Sequence, residues 1–270
     1  MKRLVILFLL IILLVGCLSR KESVTGNPWT KYQLIAHAGG GINNHKYTNS
    51  KEAFLNSYKN GFRLFEFDLS LTSDNKLVAR HGWDKSYGQE LGILSEASTY
   101  NEFMNSTYYN KYTPMSFNMV LELLKEYPDI YVILDGKVES PEDTKVLYKK
   151  INETTEKLNK NTLKRIIPQF FYTEDVKTIR KHGFKDLLYV VGREKYTPDS
   201  LTEFCLKNSI DAVSLSKSRT KQKLIDKLNK ENIKIYMYTL NSTNTMNKYL
   251  DKGVDGFFSD FVTPEKFKKE

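Results

Sequence analysis

The 270-residue chain contains only two cysteines, Cys17 and Cys205, too few for a disulfide scaffold. It has no internal repeat, no low-complexity tract and no mid-chain linker, so one domain is the economical reading. The formal charge is +9, from 41 Lys+Arg against 32 Asp+Glu, yet the lysines are scattered and no basic stripe stands out. That argues against a nucleic-acid partner. The one long apolar run, Leu4 to Val15, is shorter than the roughly 20 residues that span a bilayer. What is present is ordinary for a globular chain: 40% hydrophobic and 27% charged residues, enough to bury a sizeable core.

Met1-Lys2-Arg3 precedes the apolar run, and the chain turns polar at Ser19, the pattern of an export signal. Leu14-Val15-Gly16-Cys17 resembles the bacterial lipobox, where cleavage before the cysteine follows lipid attachment to its sulfur. Residues 1–16 are therefore expected to be a lipoprotein signal peptide and Cys17 the lipidated contact with the membrane. Residues 17–31, with Gly26, Asn27 and Pro28, read as a flexible tether. The expected location is extracytoplasmic, lipid-anchored to the bacterial cell membrane. Loss of the signal removes Lys2 and Arg3 and leaves a charge of +7. Cys205, alone in the helix-like stretch Leu201 to Lys207, reads as a buried inert thiol.

In the remainder, apolar strands alternate with amphipathic helical stretches, which calls for a parallel sheet with crossover helices. The strand candidates are Gln33–Ala36, Leu64–Leu71, Ile130–Asp135, Arg165–Phe170, Leu187–Val191, Ala212–Leu215, Lys234–Thr239 and Gly256–Ser259. Eight is the number that closes a barrel, so residues 32–270 are expected to form a single (β/α)8 TIM barrel of the α/β class. Ser140-Pro141-Glu142, Thr197-Pro198-Asp199 and Thr263-Pro264-Glu265 each pair a capping hydroxyl with a proline in the first helical turn. An insertion at about 82–115, after the second strand, breaks the rhythm and carries Trp83, Tyr87, Tyr100, Phe103, Tyr108, Tyr109 and Tyr112. It reads either as a binding loop or as a small satellite cluster on the barrel.

Side chains alternate along Leu64-Phe65-Glu66-Phe67-Asp68-Leu69, so Glu66 and Asp68 share the face opposite the phenylalanines. In a barrel that face points inward, and two buried anions cost several kcal/mol, roughly, unless something compensates. A divalent cation is the simplest compensation, with pairing to lysine or arginine as the alternative. Oxygen ligands favour Mg²⁺ or Ca²⁺. Asp135 ends an apolar strand where barrel enzymes keep their active sites, and Lys137 points the same way two residues later, within reach of a phosphate. His37 precedes Gly39-Gly40-Gly41, whose amides suit a bound anion, and His81 follows a short extension of the carboxylate strand. Two histidines beside an oxygen-ligated cation suit phosphodiester cleavage. His45, on the loop after the first strand, is a lesser candidate, and His182 reads as a helix C-terminal residue.

These motifs together resemble the glycerophosphodiester phosphodiesterases, within the wider phosphatidylinositol-phospholipase-C-like barrel group. The resemblance rests on His37-Ala38-Gly39, Thr48-Asn49-Ser50, Ala53-Phe54, Phe65-Glu66-Phe67-Asp68, Leu71-Thr72-Ser73-Asp74, His81-Gly82, Asp135 with Lys137, Tyr236 to Asn241, and Gly253 to Asp260. It implies His37 and His81 as the acid/base pair and Glu66, Asp68 and Asp135 as metal ligands. It further implies attack by a neighbouring substrate hydroxyl, with a cyclic phosphate that water then opens. Lys137, Arg80, Trp83, Gln169 and Tyr238 are then expected around the substrate, a small-molecule or lipid-derived phosphodiester. The chain departs from the family pattern at Ala38 (for Arg), Thr48 (for Glu), Asp135 (for Glu) and Tyr238 (for Trp). The expected activity is hydrolysis of glycerophosphodiesters to glycerol 3-phosphate and an alcohol. The alternatives are a phospholipase D-like or teichoic-acid-directed phosphodiesterase, and a non-catalytic surface binding module on the same barrel.

Overall fold

A computed structural model describes residues 27–84 and 97–268. The expected signal peptide, Cys17, the first part of the tether and the 85–96 portion of the insertion, Tyr87 included, lie outside the described residues. Strands β1 (Leu34–Ala36) and β2 (Leu64–Leu71) are followed by two short additions, β3 (Leu77–Ala79) and β4 (Met115–Ser116). Then come β5 (Tyr131–Gly136), β6 (Ile166–Phe170), β7 (Leu188–Val191), β8 (Ala212–Ser216), β9 (Lys234–Tyr238) and β10 (Gly256–Ser259). All but β3 and β4 pair in parallel, and β1 pairs with both β2 and β10, so eight strands close into a (β/α)8 TIM barrel. β3 and β4 extend β2 in antiparallel fashion at the barrel's mouth.

Helices α1 (Lys51–Lys59), α2 (Tyr100–Met104) and α3 (Phe117–Glu126) precede β5, and α4 (Pro141–Thr155) and α5 (Lys160–Leu163) precede β6. One helix follows each later strand: α6 (Asp175–Lys181), α7 (Pro198–Lys207), α8 (Gln222–Lys230), α9 (Thr243–Leu250) and α10 (Pro264–Lys268). The capping hydroxyls work as the sequence suggests, Ser140 accepting from Asp143 N at 3.2 Å and Thr197 from Ser200 N at 3.1 Å. Cys205 is fully buried on α7, and burial pushes its thiol up to about 12. No helix among the described residues is long and apolar enough to cross a membrane.

Strand alternation sorts side chains into two apolar layers. Phe65, Phe67, Leu69, Val132 and Leu134 face outward into the layer between barrel and helices, with Phe54, Leu121 and Leu147. Leu64, Ile35, Ile133, Ile167, Leu188, Ala212, Tyr236 and Phe258 form a separate cluster together with Trp29. Along β2 the inner series runs Leu64, Glu66, Asp68, from apolar at the N-terminal end of the barrel to charged at the C-terminal end. The barrel interior is therefore a packed apolar floor beneath a polar mouth.

Trp29 corrects the expected extent of the tether. Residues Pro28–Lys31 form a 3₁₀ turn that buries Trp29 completely and stacks it on Tyr236, ring centroids 5.8 Å apart. The Gly-Asn-Pro punctuation marks a turn, but the indole needs an apolar partner and the open floor of the barrel supplies it. The described part of the insertion is likewise a satellite core: Val78, Phe103, Tyr108 and Tyr112 are buried together, with Trp83 and Tyr100 against them. Trp29→Ala is expected to destabilise the domain by about 3–5 kcal/mol, the usual cost of emptying a buried aromatic site. Urea denaturation measures this; a loss below about 1 kcal/mol would mean that the turn is peripheral to the fold.

Candidate active site

Glu66 and Asp68 of β2 and Asp135 of β5 meet at the mouth because Asp68 and Asp135 are direct partners across the parallel pair. One ligand atom from each lies within 4.8 Å of the others, and all three residues are buried. Lys137 closes one side, its Nζ at 2.6 Å from Asp68 Oδ1 and 2.5 Å from Asp135 Oδ2. The pairing alternative for the carboxylates is thus realised in part. One ammonium facing three carboxylates still leaves two negative charges in excess when all are ionised.

The environment divides the three acids. Burial pushes Glu66 well above the ordinary glutamate range, and the charges of Asp68 and Asp135 add to this, against Lys137 and the Ala38 N–H. Asp68 is held at about 2: burial pushes it up, but Lys137, His81, His37 and a hydrogen bond from Asn49 outweigh that. Asn49 clasps Asp68 from both sides, its Nδ2 donating to Oδ2 at 2.7 Å while its Oδ1 accepts from Asp68 N at 3.0 Å. Ala38 N donates to Glu66 Oε2 at 2.7 Å. Glu66 Oε1 and Asp135 Oδ1, both buried, accept no hydrogen bond from the described residues. Two orphaned carboxylate oxygens in an all-oxygen cluster with excess negative charge fit a hard divalent cation.

His37 directly follows β1. Its Nδ1 bonds Asp260 Oδ1 at 2.8 Å, and Asn241 Nδ2 donates to Asp260 Oδ2 at 2.8 Å. With Nδ1 committed to a carboxylate, Nε2 is the nitrogen left for proton transfer. The loop after β1 reaches Asp260 because Gly41 has no side chain: a Cβ there would meet Asp260 O at 2.6 Å and the Phe261 ring at 2.3 Å. Two of the three glycine amides are taken up inside the fold rather than left for a bound anion. Gly40 N donates to His37 O and Gly41 N to Asp260 O, so both are used internally. His81 stands after β3; burial pushes its imidazole below the ordinary value, partly countered by the charge of Asp68.

A cavity of about 350 Å³ opens at the C-terminal end of the barrel, lined by His37, Glu66, His81, Asp135, Lys137, Gln169 and Tyr238 among others. Tyr47 also lines it and contacts both imidazoles, at ring-centroid distances of 5.0 Å from His37 and 5.7 Å from His81. Two expected substrate contacts lie elsewhere. Arg80 is fully buried, its Nε donates to Gly82 O at 2.7 Å and its guanidinium lies over the Trp83 ring at 4.5 Å. Trp83 Nε1 donates to Leu71 O at 2.7 Å. Both pin the β2–β3 end, because the side chains there turn toward the satellite core rather than the cavity. His45 stacks on Tyr109 at 3.7 Å, outside the cavity lining. Asn49, Asp260, Asn241 and Arg193, which also lines the cavity, had no role in the sequence reading; the first three stand in motifs quoted there.

The family model described as the glycerophosphoryl diester phosphodiesterase family matches residues 37–263. No curated protein matches the sequence. Among solved structures, a glycerophosphodiester phosphodiesterase from Parabacteroides distasonis aligns with a TM-score of 0.71 at 20% identity, over 88% of this chain and 95% of its own. Another from Thermotoga maritima aligns at 0.65 and 21% identity, over 84% and 93%. An Oleispira antarctica phosphodiesterase in complex with the product sn-glycerol-3-phosphate aligns at 0.70 and 15% identity, over 88% and 96%. These likenesses establish a shared barrel.

The raised Glu66 carries a signed consequence. A carboxyl whose folded pKa is raised contributes stability at low pH and loses it as pH rises through the folded value. In chelator at alkaline pH, Glu66→Gln is therefore expected to raise the melting temperature by about 2–4 °C. The same variant is expected to lose the further rise that Mg²⁺ or Ca²⁺ gives the wild type. A lower melting temperature for the variant in chelator, or an undiminished cation shift, would contradict this assignment of Glu66.

Proposed function

The chain belongs to the glycerophosphoryl diester phosphodiesterase family, an enzyme family of phosphoric diester hydrolases, and we propose that it hydrolyses glycerophosphodiesters by two-histidine acid/base catalysis beside a bound divalent cation. The observation that carries this reading is the shared cavity: two imidazoles and the buried acidic cluster face one space large enough for a small diester. Glu66, Asp68 and Asp135 would hold Mg²⁺ or Ca²⁺, and that cation supplies charge stabilisation to the phosphoryl oxygens.

The two histidines are not equivalent. Asp260 holds the Nδ1 proton of His37 and stabilises the imidazolium formed when Nε2 takes up a proton. His37 is therefore the base that removes the proton from the attacking hydroxyl of the glycerol half. His81, the second imidazole lining the cavity, gives its proton to the departing alkoxide. Water opens the resulting cyclic phosphate with the roles exchanged, releasing glycerol 3-phosphate. Lys137, bound to Asp68 and Asp135, orients those carboxylates. Gln169, whose buried Oε1 has no hydrogen-bond partner among the described residues, and Tyr238 line the side of the cavity toward β6 and β9.

A lipid anchor at Cys17 would hold this barrel at the outer face of the cell membrane, close to lipid-derived diesters. On this reading Cys17→Ser shifts the protein from the membrane pellet to the soluble fraction, and unchanged pelleting would count against the anchor. His37→Ala and His81→Ala are each expected to lower kcat on a glycerophosphodiester by roughly 100- to 10,000-fold. A p-nitrophenyl leaving group needs no proton, so it should restore most of the activity of the His81 variant and little of that of the His37 variant. Equal losses on both substrates would overturn the assignment of roles, and full activity of both variants would overturn the mechanism.

A further inference from the structure

The rim of the cavity is asymmetric in charge. The acids stand on β2 and β5 and the two histidines after β1 and β3. β7 lies four strands from β1 in either direction around the ring, so the loop after β7 stands across the mouth from His37. That loop carries Arg193, exposed and part of the cavity lining. Its guanidinium lies over the rings of Phe171 and Tyr172, at 5.1 Å and 5.3 Å, and its Nη1 donates to the Tyr172 hydroxyl at 2.7 Å. Tyr172 in turn is hydrogen-bonded to Glu139 O. Arg219, also exposed, donates from Nη2 to Gly192 O at 2.9 Å and so braces the turn beside Arg193.

Among the described residues neither guanidinium has a carboxylate partner within salt-bridge distance. The neighbouring Glu194 is engaged elsewhere, accepting from Thr173 N at 2.9 Å, from Thr173 Oγ1 at 3.1 Å and from the Tyr189 hydroxyl at 3.2 Å. Lys137 differs, being neutralised by two carboxylates. The β7 side of the mouth thus presents a cation held by aromatic faces, a hydroxyl and, at 3.5 Å, the Glu139 carbonyl, with no carboxylate partner among the described residues. Such a planar fork suits phosphate oxygens.

We propose that this wall selects the alcohol half of the substrate: Arg193, with Arg219 behind it, receives a second phosphate that lies beyond the scissile one. The inference rests on the reading above, which puts the scissile phosphate beside the acids and histidines, so the alcohol extends across the mouth toward β7. A cationic alcohol such as choline would meet like charge there and is disfavoured. The second phosphate has two chemical sources, a terminal phosphomonoester or the next diester of a glycerophosphate oligomer.

The test compares three diesters of glycerol 3-phosphate, whose alcohols are choline, glycerol and glycerol phosphate, together with a three-unit glycerophosphate oligomer. The wild type is expected to favour a substrate with the second phosphate by about tenfold in kcat/KM over the choline diester, mainly through KM. Arg193→Ala should erase that preference, Arg193→Glu should invert it, and Arg193→Lys should recover part of it. Preference for the glycerol phosphate ester alone would identify a monoester source, and preference for the oligomer a polymeric one. Binding of the same compounds to the His37→Ala variant, by competition, reads the preference without turnover. Hydrolysis of none of them with selective binding intact would fail the proposed function and leave this inference standing. A wild-type preference for choline, or an Arg193→Ala loss equal on all substrates, would overturn it.

Discussion

Three buried carboxylates that a single lysine cannot neutralise are the constraint on which the rest of this molecule turns. Glu66, Asp68 and Asp135 lie within 4.8 Å of one another, and Lys137 balances one charge of three. Taking anions out of water is costly, and crowding them adds repulsion. The chain meets that cost locally with the Asn49 clasp on Asp68 and the Ala38 N–H on Glu66. Glu66 Oε1 and Asp135 Oδ1 remain with neither a hydrogen-bond donor nor an ion-pair contact among the described residues. The cluster has the donor set to hold a divalent cation, and cation binding there would couple to the stability of the barrel mouth.

The fold makes the cluster affordable by separating its floor from its mouth. Trp29, Tyr236 and the inner apolar residues fill the lower barrel, beneath the charges of the mouth. The rigid β2–β5 pairing then fixes where Asp68 and Asp135 stand relative to each other. His37 depends on a longer chain of contacts. It is oriented by Asp260, Asp260 by Asn241, and the approach of the β1 loop to β10 by the missing side chain of Gly41. Catalytic geometry in this barrel is a property of several strand ends at once.

Much of this was legible in the chain itself, for identifiable reasons. The Phe-Glu-Phe-Asp alternation announces a strand with one apolar and one acidic face, since no helix period fits it. Asp135 and Lys137 declare themselves by closing an apolar run. Asp260 is 223 residues from His37, and spacing along the chain carries no trace of such a bond. Arg80 and Trp83 look like substrate ligands from their position beside His81, but whether a side chain turns inward or outward at a short strand end is decided by the satellite core. Trp29 was hidden behind turn-forming neighbours. Arg193 is one of 41 basic residues, and only the ring topology shows that its loop stands across the mouth from His37.

Whether the three carboxylates hold a cation is decided by anomalous diffraction from crystals of the protein soaked in Mn²⁺, an oxygen-seeking ion whose scattering identifies it. A single strong anomalous peak coordinated by Glu66, Asp68 and Asp135 at the base of the cavity is expected. Absence of a peak there at saturating Mn²⁺, with Lys137 still bridging Asp68 and Asp135, would contradict it.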